Sequence, residues 1–181
     1  MLNRIRKKMP FRWIKRWWRS KGFGIHSPFA FYFILRVLRE KLPYYAYDEI
    51  KALKPSDVSR RDLLTLFRIE CYFAPSEVTL PEGTPKSVRT TLRLADSRIR
   101  ITKEASKFQC YFGKDSEARF RTLAPAVTDS EGVIVIHHPS SYMLRIKDTM
   151  AHGMTFTNGN GSMLVIVVRH DLPRQDFVIN F

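Results

Sequence analysis

Apolar residues recur at helical spacing in the first part of the chain and predict four helices that end by Phe73. The first is a short helix after Pro10, and the other three are predicted over residues 29–41, 44–54 and 59–73. Ser27 followed by Pro28 is a strong start for the second helix, because serine caps a helix and proline suits its first position. The N-terminal part is therefore predicted to be helical.

From Glu77 onward the pattern changes to short strands that alternate with helices. Strands are predicted over 77–80, 98–102, 109–112, 133–138, 154–157, 163–169 and 177–181, and helices over 84–96, 117–123 and 141–150. The run VIVIHH is typical of a buried, often parallel, strand. The turn residues Asn158 to Gly161 lie between two β runs and predict an antiparallel hairpin. These features indicate an α/β fold.

Composition places the chain among single globular domains. It has 181 residues, of which 44% are hydrophobic, which is enough to bury a sizeable core. The net charge is +14, and residues 1–21 contribute nine Lys or Arg and no acid. We therefore divide the chain into a basic head, 1–21, and one α/β domain, 22–181, with a helical part over 22–73 and a sheet part over 74–181.

The basic head is predicted to form an amphipathic helix that carries all three tryptophans. The residues expected to contact an anionic partner are Arg12, Trp13, Lys15, Arg16, Trp17, Trp18 and Arg19. That partner is an anionic membrane surface or a nucleic acid, since both present dense phosphate charge. The alternative is that the aromatic face packs on the domain core, because a helix of about ten residues is marginal by itself.

The predicted location is the cytoplasm, or the inner face of the membrane if the head binds lipid. No signal-peptide pattern follows the basic start, and the early apolar run from Pro28 to Leu35 is too short to span a bilayer. Cys71 and Cys110 lack metal or redox spacing and are expected to be reduced thiols. No metal site is predicted.

The order of GFGIHSPFAFYFILRVL, PYYAYDEIKAL and LLTLFRIECYFAPSEV resembles the N-terminal half of class I S-adenosylmethionine-dependent methyltransferase-like proteins of the Bacteroidetes type. The ending, GMTFTN with a later DFVINF, is similar to the closing hairpin of that family. The resemblance covers most of the chain, although only its N-terminal signature is specific. It implies a Rossmann-like methyltransferase sheet, here reduced, with N-terminal helices and a C-terminal antiparallel hairpin.

The resemblance also implies where S-adenosylmethionine would bind. The turn EVTLPEGTPKSV supplies Glu82 and Gly83, and Glu104 falls where an acid for the ribose hydroxyls is expected. The turn has prolines and a single glycine where the family has a glycine-rich loop, and the strand VIVI is followed by His137 and His138 where the family has aspartates. The span between Glu104 and Val133 is also short for the expected strand and helix units.

Three functions follow from these patterns. The first, which we favour, is a degenerate or truncated methyltransferase-like protein that has lost S-adenosylmethionine binding and catalysis. The second is an active methyltransferase of unknown substrate with S-adenosylmethionine as cofactor. The third is a membrane-surface or nucleic-acid binding protein that acts through its Trp-rich head. The sequence assigns no catalytic residue to any of them.

Overall fold

The computed structural model describes residues 17–18, 20–53, 57–113 and 116–181. The helices are α1 (Pro28–Phe33), α2 (Tyr47–Ala52), α3 (Arg60–Phe73), α4 (Lys86–Ala95), α5 (Ser116–Leu123), α6 (Pro125–Thr128) and α7 (Ser141–Leu144). The strands are β1 (Glu77–Thr79), β2 (Arg100–Thr102), β3 (Phe108–Tyr111), β4 (Gly132–His137), β5 (Met154–Asn158), β6 (Met163–Val168) and β7 (Gln175–Ile179).

The described strands form one seven-stranded sheet in the order β2-β1-β3-β4-β6-β5-β7. Neighbouring strands are parallel, except that β6 runs antiparallel to both β4 and β5. Strands β5 and β6 are consecutive, so they form the predicted C-terminal hairpin. The predicted α/β class, with a mostly parallel sheet and N-terminal helices, is confirmed.

The sheet is covered on both faces, which explains the continuous apolar character of β4. Val133 and Val135 belong to one core cluster, together with residues of α1 to α4 such as Phe33 and Leu66. Ile134 and Ile136 belong to a second cluster with residues of α5, α6 and α7. Successive residues of a strand point to opposite faces, so every position of β4 except its first is buried.

The N-terminal helices are capped as the sequence predicts and are joined by a buried arginine. Ser27 accepts a 3.3 Å hydrogen bond from the N–H of Ala30, and α1 continues as a π-helical turn, Ile34–Leu38. The guanidinium of Arg68 on α3 donates to the carbonyls of Val37 and Leu38, which end this turn. The helix consequently ends three residues earlier than predicted, because Arg68 satisfies the carbonyls left free there.

Three further details differ from the sequence predictions. A helix is predicted over 84–96, but the hydroxyl of Thr84 donates to the carbonyl of Pro81, and α4 begins after Pro85 without a side-chain cap. The predicted helix over 141–150 is the single turn of α7 followed by a 3-10 helix, Arg145–Asp148. Between β3 and β4 the described residues form a second short helix, α6, in addition to the predicted helix that is α5.

None of the helices in the described ranges has the length and apolar character that crossing a membrane requires. Of the head residues predicted to contact an anionic partner, Trp17 and Trp18 are described and are both exposed. Arg12, Trp13, Lys15, Arg16 and Arg19 lie outside the described residues.

Candidate ligand cleft at the carboxyl ends of the central strands

A cleft of about 760 Å³ lies where β1, β3 and β4 end. The chain crosses from β1 to β2 on one side and then returns past β1 to β3, so the strand order reverses between β1 and β3. In open α/β sheets, ligands bind at such a reversal, outside the carboxyl ends of the strands. The size of the cleft is also within the range of small-molecule sites. Position and volume therefore make it the candidate functional site.

Two glycine turns line this cleft. Gly83 follows β1 with φ +77°, and a Cβ at that position would meet nothing within 4 Å, so its backbone is open to a ligand. Gly113 follows β3 with φ +108°, and a Cβ there would lie 3.3 Å from the carbonyl oxygen of Gly83. The two turns thus approach each other closely, and the positive φ of Gly113 favours glycine. Gly113 was not singled out by the sequence analysis.

The resemblance assigns two acids, Glu82 and Glu104, to the cofactor, and only Glu82 lines the cleft. Glu82 lies at the rim of the cleft, but its carboxylate contacts the Nζ of Lys103 at 2.5 Å. This hydrogen bond, with the charge of the same lysine, lowers the pKa of Glu82. Glu104 follows β2, its side chain is exposed, and it is not among the residues that line the cleft. The structure therefore brings Glu82 and Gly83 together at the cleft without Glu104.

His137, the last residue of β4, forms part of the cleft wall and is held from behind by α3. Its ring stacks on Phe112, with centroids 5.1 Å apart and planes at 6°. Its Nε2 lies 3.5 Å from Oδ2 of Asp62, which is close for an ion pair but long for a hydrogen bond. Among the described residues this Nε2 is one of three buried side-chain polar atoms without a hydrogen-bond partner.

The carboxylate of Asp62 is the centre of a buried polar network. Oδ2 accepts from the hydroxyl of Ser59 at 2.7 Å, and Oδ1 accepts from the hydroxyl of Ser162 at 3.0 Å. Burial by itself would raise the pKa of Asp62, but its contacts with His137, Ser59 and Ser162 outweigh burial and lower it. Asp62 is therefore a carboxylate at neutral pH, held beside His137 in the wall of the cleft.

His138 does not continue the extended backbone of β4, in which adjacent side chains point to opposite faces. It has a left-handed backbone with φ +50°. Its N–H donates to the carbonyl of Ser162 at 2.8 Å, which fixes this conformation. As a result the rings of His137 and His138 lie 4.2 Å apart, and both residues line the cleft. No group of three or more His, Cys, Asp or Glu within the described part of the chain could hold a metal ion.

The lining of the cleft is acidic in an otherwise basic protein. Asp57, Glu82 and Glu117 line it, and its described lining residues include no Lys or Arg. Hydrogen bonds from Ser140 and Arg121 lower the pKa of Glu117, so that it too is charged. This arrangement favours a neutral or cationic ligand with hydrogen-bond donors, and it disfavours a phosphate group.

Comparison with known proteins returns no significant match: neither a family model, nor a curated protein, nor a solved structure is similar to this chain. The methyltransferase resemblance therefore stays a prediction from the residues that carry it.

Proposed function

We propose that the protein is a methyltransferase-like protein in which the cleft at the end of β1 no longer holds S-adenosylmethionine. The observation that carries this proposal is the separation of the two expected cofactor acids. Glu82 at the rim is paired with Lys103, and the side chain of Glu104 is outside the cleft lining. An acid that binds the ribose hydroxyls must face the same cleft as the glycine turn. The residues present therefore do not fit the cofactor as the resemblance implies.

The short turn after β1 supports the same proposal. Thr84 binds the carbonyl of Pro81 through both its hydroxyl, at 2.7 Å, and its backbone N–H, at 3.4 Å. This closes the turn on itself and leaves Gly83 as its single glycine. A cofactor that wraps around such a turn needs several backbone positions without side chains, and this turn offers one.

A second candidate, an active methyltransferase, is favoured by the acidic lining. S-adenosylmethionine carries a sulfonium and an ammonium group, and the carboxylates of Asp57, Glu82 and Glu117 line the cleft. Arg121 pairs with Glu117 and Lys103 with Glu82, but neither cation is among the described lining residues. Opposite charge in a partly enclosed cleft attracts such a ligand. This candidate does not need Glu104.

Isothermal titration calorimetry with S-adenosylmethionine separates the two candidates. The first predicts no binding at cofactor concentrations of about 1 mM, which corresponds to a binding free energy weaker than about −4 kcal/mol. The matched variant is Asp57→Arg, which replaces an exposed carboxylate of the cleft lining by a cation, with circular dichroism to check that it folds. Binding by the wild type that Asp57→Arg weakens at least about tenfold would refute loss of cofactor binding. Binding that this variant leaves unchanged would place the cofactor outside the cleft and so refute the second candidate.

A further inference from the structure

We propose that exposed rings at the start of the described chain form a patch that inserts into the interface of an anionic phospholipid membrane. This aromatic patch consists of Trp17, Trp18, Phe23, Phe31 and Tyr32, and the exposed fraction of each residue is between 42% and 57%. Isolated exposed apolar residues are ordinary on protein surfaces, but five large rings from one short segment of chain mark an interaction surface.

Contacts between neighbouring residues show that the patch is continuous. The rings of Trp18 and Phe23 lie 5.4 Å apart. Gly22, between Lys21 and Phe23, packs so closely on Phe31 that a Cβ would lie 2.5 Å from its ring. Phe31 and Tyr32 are consecutive on α1 and border one surface groove. The rings therefore form one surface that runs from the basic head to α1.

The patch is also fixed to the domain. The hydroxyl of Ser20 accepts from the N–H of Asn180 at 2.8 Å, and its carbonyl accepts from the guanidinium of Arg39. The carbonyl of Trp18 accepts from the N–H of Lys21 at 3.0 Å. Trp17 and Trp18 remain about half exposed despite these anchors, which favours a binding role over packing on the core. Insertion consequently needs no unfolding of the body.

Positively charged residues in the same part of the chain as the patch complement an anionic surface. Residues 1–21 carry nine Lys or Arg and no acid, and Lys21 lies 3.9 Å above the ring of Trp17. Arg36 borders the same groove as Phe31. Glu40 is an acid in this groove, but its carboxylate accepts hydrogen bonds from the N–H groups of Lys41 and Leu42. Rings that enter the interface and cations that remain at the headgroups act together, as stable membrane attachment requires.

The arrangement of the rings favours lipid over nucleic acid. Bases bind single-stranded nucleic-acid sites by stacking on free aromatic faces. Here Lys21 covers a face of Trp17, Trp18 is tilted by 49° against Phe23, and Tyr32 is tilted by 35° against Tyr72. These rings do not form a parallel platform, whereas insertion into a headgroup region requires only exposed apolar edges.

Vesicle binding by the full chain tests the proposal. We expect sedimentation with vesicles of phosphatidylcholine that contain about a third phosphatidylserine, and much weaker sedimentation with phosphatidylcholine alone. The double variant Trp18→Ala, Phe23→Ala should bind at least about tenfold more weakly, because it removes two large apolar groups. Lys21→Gln should reduce binding about fivefold.

Tyr142→Ala provides the matched control. Tyr142 is also an exposed ring beneath a cation, with Arg121 at 3.6 Å, but it lies on α7, which packs on the other face of the sheet. Its loss should leave vesicle binding unchanged. Equal loss of binding in this variant and in the double variant would overturn the proposal, as would equal affinity for neutral and anionic vesicles.

A measurement on the wild type covers the case in which the double variant does not fold. All three tryptophans lie between residues 13 and 18, so tryptophan fluorescence reports on the head alone. Anionic vesicles with brominated acyl chains should quench this fluorescence, because insertion brings the rings close to the bromines. Absence of quenching would overturn the proposal. So would a single-stranded RNA oligonucleotide that binds more tightly than the vesicles and displaces the protein from them.

Discussion

Replacing Glu70 by glutamine is expected to stabilise the protein at alkaline pH and to change little at acid pH. Glu70 lies on α3 and is 1% exposed, and its Oε2 has no hydrogen-bond partner. Burial, together with the nearby charge of Asp96, raises the pKa of Glu70 from 4.5 to about 8. The ionisable groups around it include Cys71 and Cys110, whose pKa values burial also raises. Glu70 is thus protonated in the folded protein at neutral pH.

The size and sign of the effect follow from the two pKa values of Glu70. Between pH 4.5 and about 8, the folded state keeps a proton that the unfolded state releases, so the free energy of unfolding falls as pH rises. A shift of this size is worth about 5 kcal/mol in total, of which a loss of about 3–4 kcal/mol falls between about pH 5 and about pH 8. The free energy of unfolding of a typical domain is about 5–15 kcal/mol, so this loss is a large part of the total stability.

Urea unfolding followed by far-UV circular dichroism measures this difference. At about pH 5 the wild type and Glu70→Gln should agree within about 1 kcal/mol, since both side chains are neutral. At about pH 8 the variant should be more stable by about 3–4 kcal/mol. The control is Glu77→Gln, which removes a surface pair with Arg100 at 2.9 Å and should change stability by less than about 1 kcal/mol. Parallel stability curves for the wild type and Glu70→Gln would refute the reasoning.

Three other substitutions test separate contacts. Arg68→Met should lower the free energy of unfolding by about 3 kcal/mol in urea titrations, because two buried carbonyls at the end of the π-helical turn lose their donor. Gly153→Ala, whose Cβ would lie 2.4 Å from the carbonyl oxygen of Val167, should lower the melting temperature well below that of Gly161→Ala, whose Cβ meets nothing; equal effects would contradict the close contact. Asp62→Asn should flatten the loss of stability on acidification, because the lowered pKa of Asp62 gives stability that is present above pH 3.8 and lost as pH falls.

Local signals explain most of what the sequence predicted correctly. Ser27 and Pro28 start α1 because cap and first-turn preferences act within four residues. The turn after Asn158 forms a hairpin because Gly159 and Gly161 leave little alternative between two β runs. The ends of helices were predicted less accurately. The end of the π-helical turn depends on Arg68, which lies about thirty positions further along the chain.

The cleft was predicted only in part, because contacts distant in sequence build it. The predicted helix over 59–73 starts at Ser59, and Ser59 caps α3 by accepting from the N–H of Asp62. That Asp62 also binds Ser162, one hundred positions away, has no local signature. The proximity of His137 and His138 depends on the left-handed backbone of His138, which a bond to the hairpin holds in place. Patterns of period two or four do not contain such information.

The Asp62 network couples the wall of the cleft to the stability of the domain. Ser162 binds Asp62 and also accepts from Asn158, whose side chain in turn donates to the carbonyl of Phe181 at 2.7 Å. A buried network of this kind loses several bonds when one member is removed. A change at Asp62 will therefore alter ligand binding and folding together. Substitution at Asp57, an exposed residue that lines the cleft and does not belong to this network, is the more selective test of whether the cleft binds a ligand.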